Sequence, residues 1–279
     1  MMNVKDIVAR FQHVEGQRDN WNNHYQELAD YMLPRKADIV KKRSRGEKRM
    51  ELIFDGTALQ SVDLLSSSLH GMLTSGATPW FHLTMKNEEL GRDEEVQRWL
   101  EDSSQRMMRA FTMSNFETEV HEMYVDLVVF GTGCMFVEMD DKTLRFSTRH
   151  ISEFYVTEDQ YGIVDTVFRK YELPARQAVQ RFGIDNVGNF IARTFEKKPD
   201  ENVEILHVVM PRTDRDPTKQ DNKNMPFASL YICLETKMIL AESGFQELPY
   251  VVPRFLKATG EVMGRSPAMV ALPDVKLIN

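Results

Sequence analysis

A serine near the end of the chain stands in a pattern that hydrolases use. Residues 264–268 read GRSPA, which misses the nucleophile turn G-x-S-x-G by one residue because Ala268 replaces the last glycine. No pattern of histidine and acidic partners accompanies Ser266. A serine followed by proline fits the start of a helix better, since the hydroxyl caps the helix and the first turn needs no backbone donor from Pro267. We therefore interpret Ser266 and Pro267 as a helix cap.

Other motifs whose residues could take part in chemistry also favour structural interpretations. The stretch GTGCMF at 131–136 has Phe136 at the third glycine of a dinucleotide loop, so it predicts a left-handed helix end at Gly131 and a close backbone approach at Gly133. The seven histidines never fall at i, i+4, and no P-loop occurs. Cys134 and Cys233 are far apart, which indicates two small buried hydrophobic residues. The residues suggest no catalysis, cofactor or metal.

Charge is distributed unevenly along the chain. The net charge is −7, but the segment 35–49, RKADIVKKRSRGEKR, carries eight basic and two acidic residues, a net of +6, which leaves −13 for the remainder. An acidic surface repels DNA phosphates and argues against a tight sequence-specific DNA-binding protein. The basic residues of this segment are Arg35, Lys36, Lys41, Lys42, Arg43, Arg45, Lys48 and Arg49.

This basic segment leaves three interpretations open. It has no interleaved aromatic residues on which bases could stack, so single-strand binding is disfavoured. A loop that contacts phosphate, a loop that bridges subunits and a plain solvated loop all remain. The acidic run NEELGRDEEVQRWLED at 87–102 is typical of a solvated helix face.

The elements that must position these residues change character near residue 130. Apolar spacing predicts helices over about 1–35, 55–74, 93–112 and 114–130, with a mobile loop over 35–47. In the second helix the predicted apolar face holds Leu59, Val62, Leu65, Leu69, Met72 and Leu73. Its opposite face holds Gln60, Ser61, Ser66, Ser67, Ser68 and His70, which is small and weakly polar, so packing against another element or subunit is a candidate interpretation. A short strand is predicted through Trp80, Phe81 and Leu83.

After Gly133 the period becomes two, which indicates strands. Hairpins are predicted over 134–150, with a turn at Asp140, Asp141 and Lys142, and over 153–173; a short helix follows from Pro174, residues 184–196 are ambiguous, and four more strands reach about residue 258. The fold class is therefore α+β, with a helical N-terminal half and a mostly antiparallel β-rich half. Helical spacing resumes at Ser266, with Pro273 bending the helix. No apolar run is long enough for a membrane span or a signal peptide. We therefore expect the protein to reside in a reducing cytoplasm.

Several segments, in order, resemble the portal, or head-to-tail connecting, proteins of short-tailed bacteriophages. They are WNNHYQELADYMLP at 21–34, IFDGTA at 53–58, TPWFHL at 78–83, SNF at 114–116, GTGC at 131–134, PYVVPRF at 249–255 and GRSPAMVALPDVKLIN at 264–279. Gly56 departs from the serine that is usual after the aspartate, which affects a helix cap and no chemistry.

The resemblance implies a non-enzymatic virion protein, assembled in the host bacterial cytoplasm. It implies a ring of twelve subunits at a capsid vertex, which forms the channel for DNA packaging and ejection and joins head to tail. The implied partners are further copies of the chain, the terminase motor, capsid, scaffolding and tail adaptor proteins, and double-stranded DNA that passes non-specifically; no membrane or cofactor is implied. Residues 1–132 and 133–260 would form the helical and β-rich parts of a wing, and 261–279 the start of a stem helix. The remaining stem, the clip and the crown would lie beyond Asn279, so we expect a truncated protein.

Two hypotheses follow for the basic segment. Its residues Lys41, Lys42, Arg43, Arg45, Lys48 and Arg49 could contact an acidic helix of a neighbouring subunit around 88–102. The alternative function is a DNA-binding accessory or head-tail adaptor protein that acts through the same segment.

Overall fold

The structure, a computed structural model, describes residues 3–44, 46–139, 143–219 and 221–279, and of Glu88 the backbone alone. The helices are α1 (Val4–Gln17), α2 (Asp19–Met32), α3 (Thr57–Leu73), α4 (Glu88–Gly91), α5 (Glu94–Thr112), α6 (Phe116–Phe130), α7 (Ala175–Phe182), α8 (Gly188–Lys197) and α9 (Pro267–Ile278). The strands are β1 (Met135–Met139), β2 (Leu144–Thr148), β3 (Phe154–Glu158), β4 (Val164–Pro174), β5 (Asn202–Pro211), β6 (Phe227–Cys233), β7 (Met238–Phe245) and β8 (Tyr250–Val251). The predicted α+β class is confirmed.

The chain forms two compact units that do not follow its order. One contains the described residues of 1–25 and 150–250, and the other those of 26–149 and 251–279. In the first unit an antiparallel sheet of order β3-β4-β5-β6-β7 has helices on both faces. Along β5, Leu206 and Val208 pack in the core with α1, whereas Val203 and Ile205 pack with α7 and α8. Burial on both faces explains why seven of the ten residues of this strand are apolar.

A buried arginine holds the first unit together where α1 and α2 meet. The guanidinium of Arg18 donates to the carbonyl oxygens of Phe154 and Ile151, and its Nε donates to Asn22 Oδ1 at 3.0 Å. It also lies 4.5 Å from the centre of the Tyr155 ring, a cation–π distance. Desolvation by burial lowers the pKa of Arg18. The sequence predicted helix through this region, and the structure divides it at Arg18.

Helix α6 is the centre of the second unit. Ten of its fifteen residues are buried, and α3, α5, α9 and the β1–β2 hairpin pack around it. Its apolar side meets Met135 of β1 and Phe146 of β2, with Trp80 at the margin of the same core. The short strand β8 completes a three-stranded sheet of order β2-β1-β8. A helix surrounded in this way is apolar on most of its circumference.

The interpretation of α3 is partly wrong. Ser66 is fully buried, and its hydroxyl donates to the carbonyl oxygen of Val62. Close packing of the small polar side therefore holds at this residue, whereas Gln60, Ser61 and Ser67 of the same side are exposed. Of the predicted apolar face, however, Leu65, Met72 and Leu73 are exposed. Apolar spacing marks a face that avoids water, but it does not say whether this chain or another one covers that face.

Three further expectations meet the structure differently. No strand forms through Trp80 and Leu83, because this extended segment lacks a backbone partner among the described residues. The ambiguous stretch 184–196 contains α8, and the last predicted strand is reduced to Tyr250–Val251. The turn at 140–142 lies outside the described residues, whereas its flanking strands pair as predicted. The proposed boundaries at 132 and 260 are not tested by this division into units.

Candidate interaction surfaces

The irregular segment after α2 is anchored by one buried side chain. The amide oxygen Oε1 of Gln26 accepts hydrogen bonds from the backbone nitrogens of Ile39, Val40 and Lys41 at 3.3, 2.9 and 3.1 Å. Its Nε2 donates to the carbonyl oxygen of Ala37 at 2.6 Å. Where the sequence predicted a mobile loop, the backbone is therefore tied at successive residues. Sequence reasoning missed Gln26, since its partners are 11–15 residues away.

Several residues of the basic segment are neutralised within the chain. Arg43 contacts Asp30 at 3.2 Å and Asp38 at 3.7 Å, and Arg49 contacts Asp38 at 2.5 Å. The hydrogen bond to Asp38 raises the pKa of Arg49 above its usual value. Both arginines are largely covered, so they hold the loop in place more than they present charge to solvent.

After residue 36, the lysines of the segment are the more accessible charges. Lys41 lies 3.8 Å from Asp30, and its side chain is 63% exposed. Lys42 and Lys48 are exposed as well. Arg45 lies outside the described residues. The candidate contact residues Lys41, Lys42, Arg43, Lys48 and Arg49 thus share one segment but differ in what they can offer a partner.

The first two basic residues of the segment hold it against α6. Lys36 Nζ lies 2.6 Å from Asp126 Oδ1, and the Asp126 side chain is only 1% exposed. Lys36 also contacts Glu122 at 3.1 Å, and Arg35 contacts Glu122 at 2.9 Å. Desolvation raises the pKa of Glu122, but the hydrogen bond from Arg35 and the charge of Lys36 lower it more, so the net shift is downward. The ion pair with Lys36 offsets part of the free-energy cost of burying the Asp126 carboxylate.

The N-terminus of α9 is fixed by polar contacts with the C-terminal end of α6. Ser266 Oγ accepts a hydrogen bond from Met269 N at 3.1 Å, and it donates to the carbonyl oxygen of Val129 at 2.8 Å. Thr132 Oγ1 accepts from Gly264 N at 2.8 Å. Ser266 is almost completely buried, so its hydroxyl caps the helix and ties it to α6. Pro267 occupies the first helical position.

Two glycines allow this close approach. Gly131 ends α6 with φ +76°, the predicted left-handed conformation. A Cβ atom on Gly264 would lie 2.2 Å from the carbonyl oxygen of Gly131, and one on Gly131 would lie 2.5 Å from that of Gly264. At Gly133 a Cβ atom would meet the Met123 side chain at 2.7 Å. The motif 131–134 therefore serves backbone packing.

Beyond its N-terminus, helix α9 has apolar side chains on every side. Ala268 and Leu272 are buried, whereas Val270 is 79% and Leu277 85% exposed. Its far end is also docked, because Asn279 Oδ1 accepts from Phe54 N at 2.8 Å. An exposed face of this composition is normally covered by another element or chain.

The structure gives the other chemical candidates no further support. In the described part of the chain no three histidine, cysteine, aspartate or glutamate side chains are grouped so as to hold a metal ion. Within the same residues no helix is both long and apolar enough to cross a membrane. The two cysteines are buried, as predicted.

Comparison with known proteins identifies the family. The profile of the family described as bacteriophage head to tail connecting protein matches residues 4–279. The chain belongs to this family. It is 34% identical over 278 residues to the probable portal protein of Bordetella phage BPP-1, and 32% identical over 278 residues to the portal protein of Salmonella phage epsilon15. Each alignment covers 98% of this chain and 50% of the relative, so the chain spans about half the length of the curated relatives it matches.

Proposed function

We propose that this head to tail connecting protein is a structural subunit of a phage portal. In this role, copies of the chain assemble into a ring at a capsid vertex, and the ring joins head to tail and passes DNA. The observation that carries the proposal is its similarity, over nearly its whole length, to two portal proteins. The expected ring has twelve subunits, and its expected partners are the terminase motor, capsid, scaffolding and tail adaptor proteins.

The form of α9 supports an assembling role. A helix held firmly at its capped start and docked at its end positions its outward side chains, so that less backbone freedom is lost on binding. Those side chains are apolar at Val270 and Leu277, which suits contact with a neighbouring subunit. We propose that 261–279 begins a stem helix and that 1–132 and 133–260 form a wing.

The charges suit a conduit better than a DNA-binding accessory protein. A net charge of −7 repeated around a ring repels phosphate and lets DNA pass without sticking. The alternative relies on the basic segment, but Arg43 and Arg49 are paired with Asp30 and Asp38. Lys41 and Lys48 are better placed to attract an acidic surface of a neighbouring subunit.

The experiment is native mass spectrometry of the chain over a range of concentrations. We expect multimers of the unmodified chain and loss of those multimers in a Val270→Asp, Leu277→Asp variant. The matched control is Met113→Asp, which also replaces an exposed apolar residue and should leave assembly unchanged. Identical mass distributions for all three proteins would contradict the role of α9. Salt-dependent retention of DNA by the monomer would favour the accessory protein instead.

A further inference from the structure

A cleft in the second unit lies between α5 and the extended segment before it. Its volume is about 860 Å³, within the range of ligand-binding clefts. Apolar side chains form much of its lining, among them Phe81, Leu83, Leu100 and Met108, and Gln105 and Glu101 lie at its polar parts.

Residues 79–85, which form one wall of the cleft, have backbone groups that are available for hydrogen bonds. In the described chain no backbone-to-backbone hydrogen bond involves these residues. Leu83 N is satisfied by Ser104 Oγ at 2.9 Å, which fixes the segment against α5. An apolar cleft with an open backbone edge is a site for a protein segment rather than for a small polar ligand.

The same chain carries a projection that matches this cleft. Met50, Leu52 and Phe54 are 51%, 44% and 84% exposed. They lie on a turn closed by a hydrogen bond from Ile53 N to the carbonyl oxygen of Met50 at 3.3 Å. Asn279 binds the backbone of Leu52 and of Phe54. The projection is therefore preorganised, and none of its residues lines the cleft of its own chain.

Charge around the two surfaces is complementary. The projection follows directly on the basic segment 35–49, in which Lys41, Lys42 and Lys48 remain exposed although Arg43 and Arg49 are paired with Asp30 and Asp38. The cleft is lined by Glu101 and also by Arg92 and Arg109, whereas the stretch 88–102 beside it contains seven acidic and two basic residues, a net of −5. Opposite charges beside an apolar contact guide association and fix its register.

We propose that the turn 50–54 of one copy inserts into the cleft between 79–85 and α5 of a second copy. The contact is heterologous, since two different surfaces meet, and a repeated contact of this kind closes into a ring when its rotation permits. The inference rests on the proposed portal function and adds the surfaces through which neighbouring subunits meet. Phe54 is the central side chain, and Lys48 of the basic segment approaches the acidic part of α5.

The test is a disulfide crosslink between two different variants. Chains with Phe54→Cys are mixed with chains that carry Gln105→Cys, a polar position at the cleft. Cys134 and Cys233 are fully buried, so they do not compete. Because each partner has one accessible thiol, a crosslink between the two variants reports the contact of projection and cleft. We expect dimers well above those of the control mixture of Met113→Cys with Gln105→Cys.

Assembly is measured alongside, by sedimentation of the unmodified chain and of Phe54→Ser. Loss of a central aromatic contact should weaken assembly about tenfold or more, whereas Met113→Ser should not. If the unmodified chain assembles but the mixture of Phe54→Cys with Gln105→Cys crosslinks no better than the control mixture, this inference fails and the portal function stands. Crosslinked chains that never close into a ring support the inference and contradict the ring. A chain that neither assembles nor crosslinks contradicts both.

Discussion

Replacement of Gly264 by alanine should destabilise the second unit by about 3 kcal/mol. A Cβ atom there would lie 2.2 Å from the Gly131 carbonyl oxygen, so the two backbones must separate. Separation disturbs the hydrogen bond from Gly264 N to Thr132 and the one from Phe255 N to Gly131, 2.8 and 2.9 Å long. Two hydrogen bonds at about 1 kcal/mol each, plus about 1 kcal/mol of overpacking strain, give this figure.

The assay is urea unfolding followed by tryptophan fluorescence. Trp80 stacks on Phe116 of α6 at a ring distance of 5.8 Å, so it reports on the second unit. The matched control is Gly71→Ala in α3, where nothing lies within 4 Å of the new Cβ atom; helix propensity should make this variant equally stable or up to about 1 kcal/mol more stable. A Gly264→Ala protein with the urea midpoint of the unmodified chain would refute the packing argument.

Three further changes test the polar contacts inside the units. Arg18→Ala removes the donors of two buried carbonyl groups and should cost about 3 kcal/mol in urea unfolding, whereas Arg98→Ala removes an exposed ion pair and should cost under about 0.5 kcal/mol; equal midpoints would contradict the anchoring role. Lys36→Ala leaves Asp126 buried without its cation and should cost about 3 kcal/mol, most of which the double variant with Asp126→Asn should recover. Because the pKa of Glu122 is lowered in the folded protein, its contribution to the free energy of unfolding is complete above its unfolded pKa of about 4.3 and is lost as pH falls through the folded pKa. Glu122→Gln should therefore flatten the dependence of stability on pH in that acidic range. An unchanged dependence would contradict the stabilising role of the Glu122 ion pairs.

Local rules predicted much of the fold. The helix bounds near Asp93 and Thr112 and the left-handed end at Gly131 depend on residues close in sequence. They can therefore be predicted from the local sequence alone. The hairpins also follow from nearby alternation. The family resemblance was carried by short segments in order, and the match over 4–279 confirms it.

Features that depend on distant partners were not predictable in the same way. The exposure of Met72 departs from the expected apolar face of α3, because apolar spacing does not show which side chains the rest of the fold covers. Trp80 and Leu83 have strand-like composition, but no strand pairs with their backbone in the described residues. Gln26 became important only when the fold brought residues 37–41 to it.

The candidate contact surfaces illustrate the same limit. The sequence correctly predicted a charged loop for the basic segment. It did not show that Arg43 forms an ion pair with Asp30 and Arg49 one with Asp38. The accessible charge is concentrated on lysines, among them Lys41. Tests of charge reversal should therefore use Lys41 and Lys48 and leave Arg43 in place, because its loss would disturb the loop itself.

The most direct test of the central claim is electron microscopy of the assembled chain. Class averages of negatively stained particles should show rings with a central opening and rotational symmetry, and Phe54→Ser or the Val270→Asp, Leu277→Asp variant should reduce their number. Particles that remain single subunits at every concentration at which the protein is folded would contradict the portal function proposed for this chain.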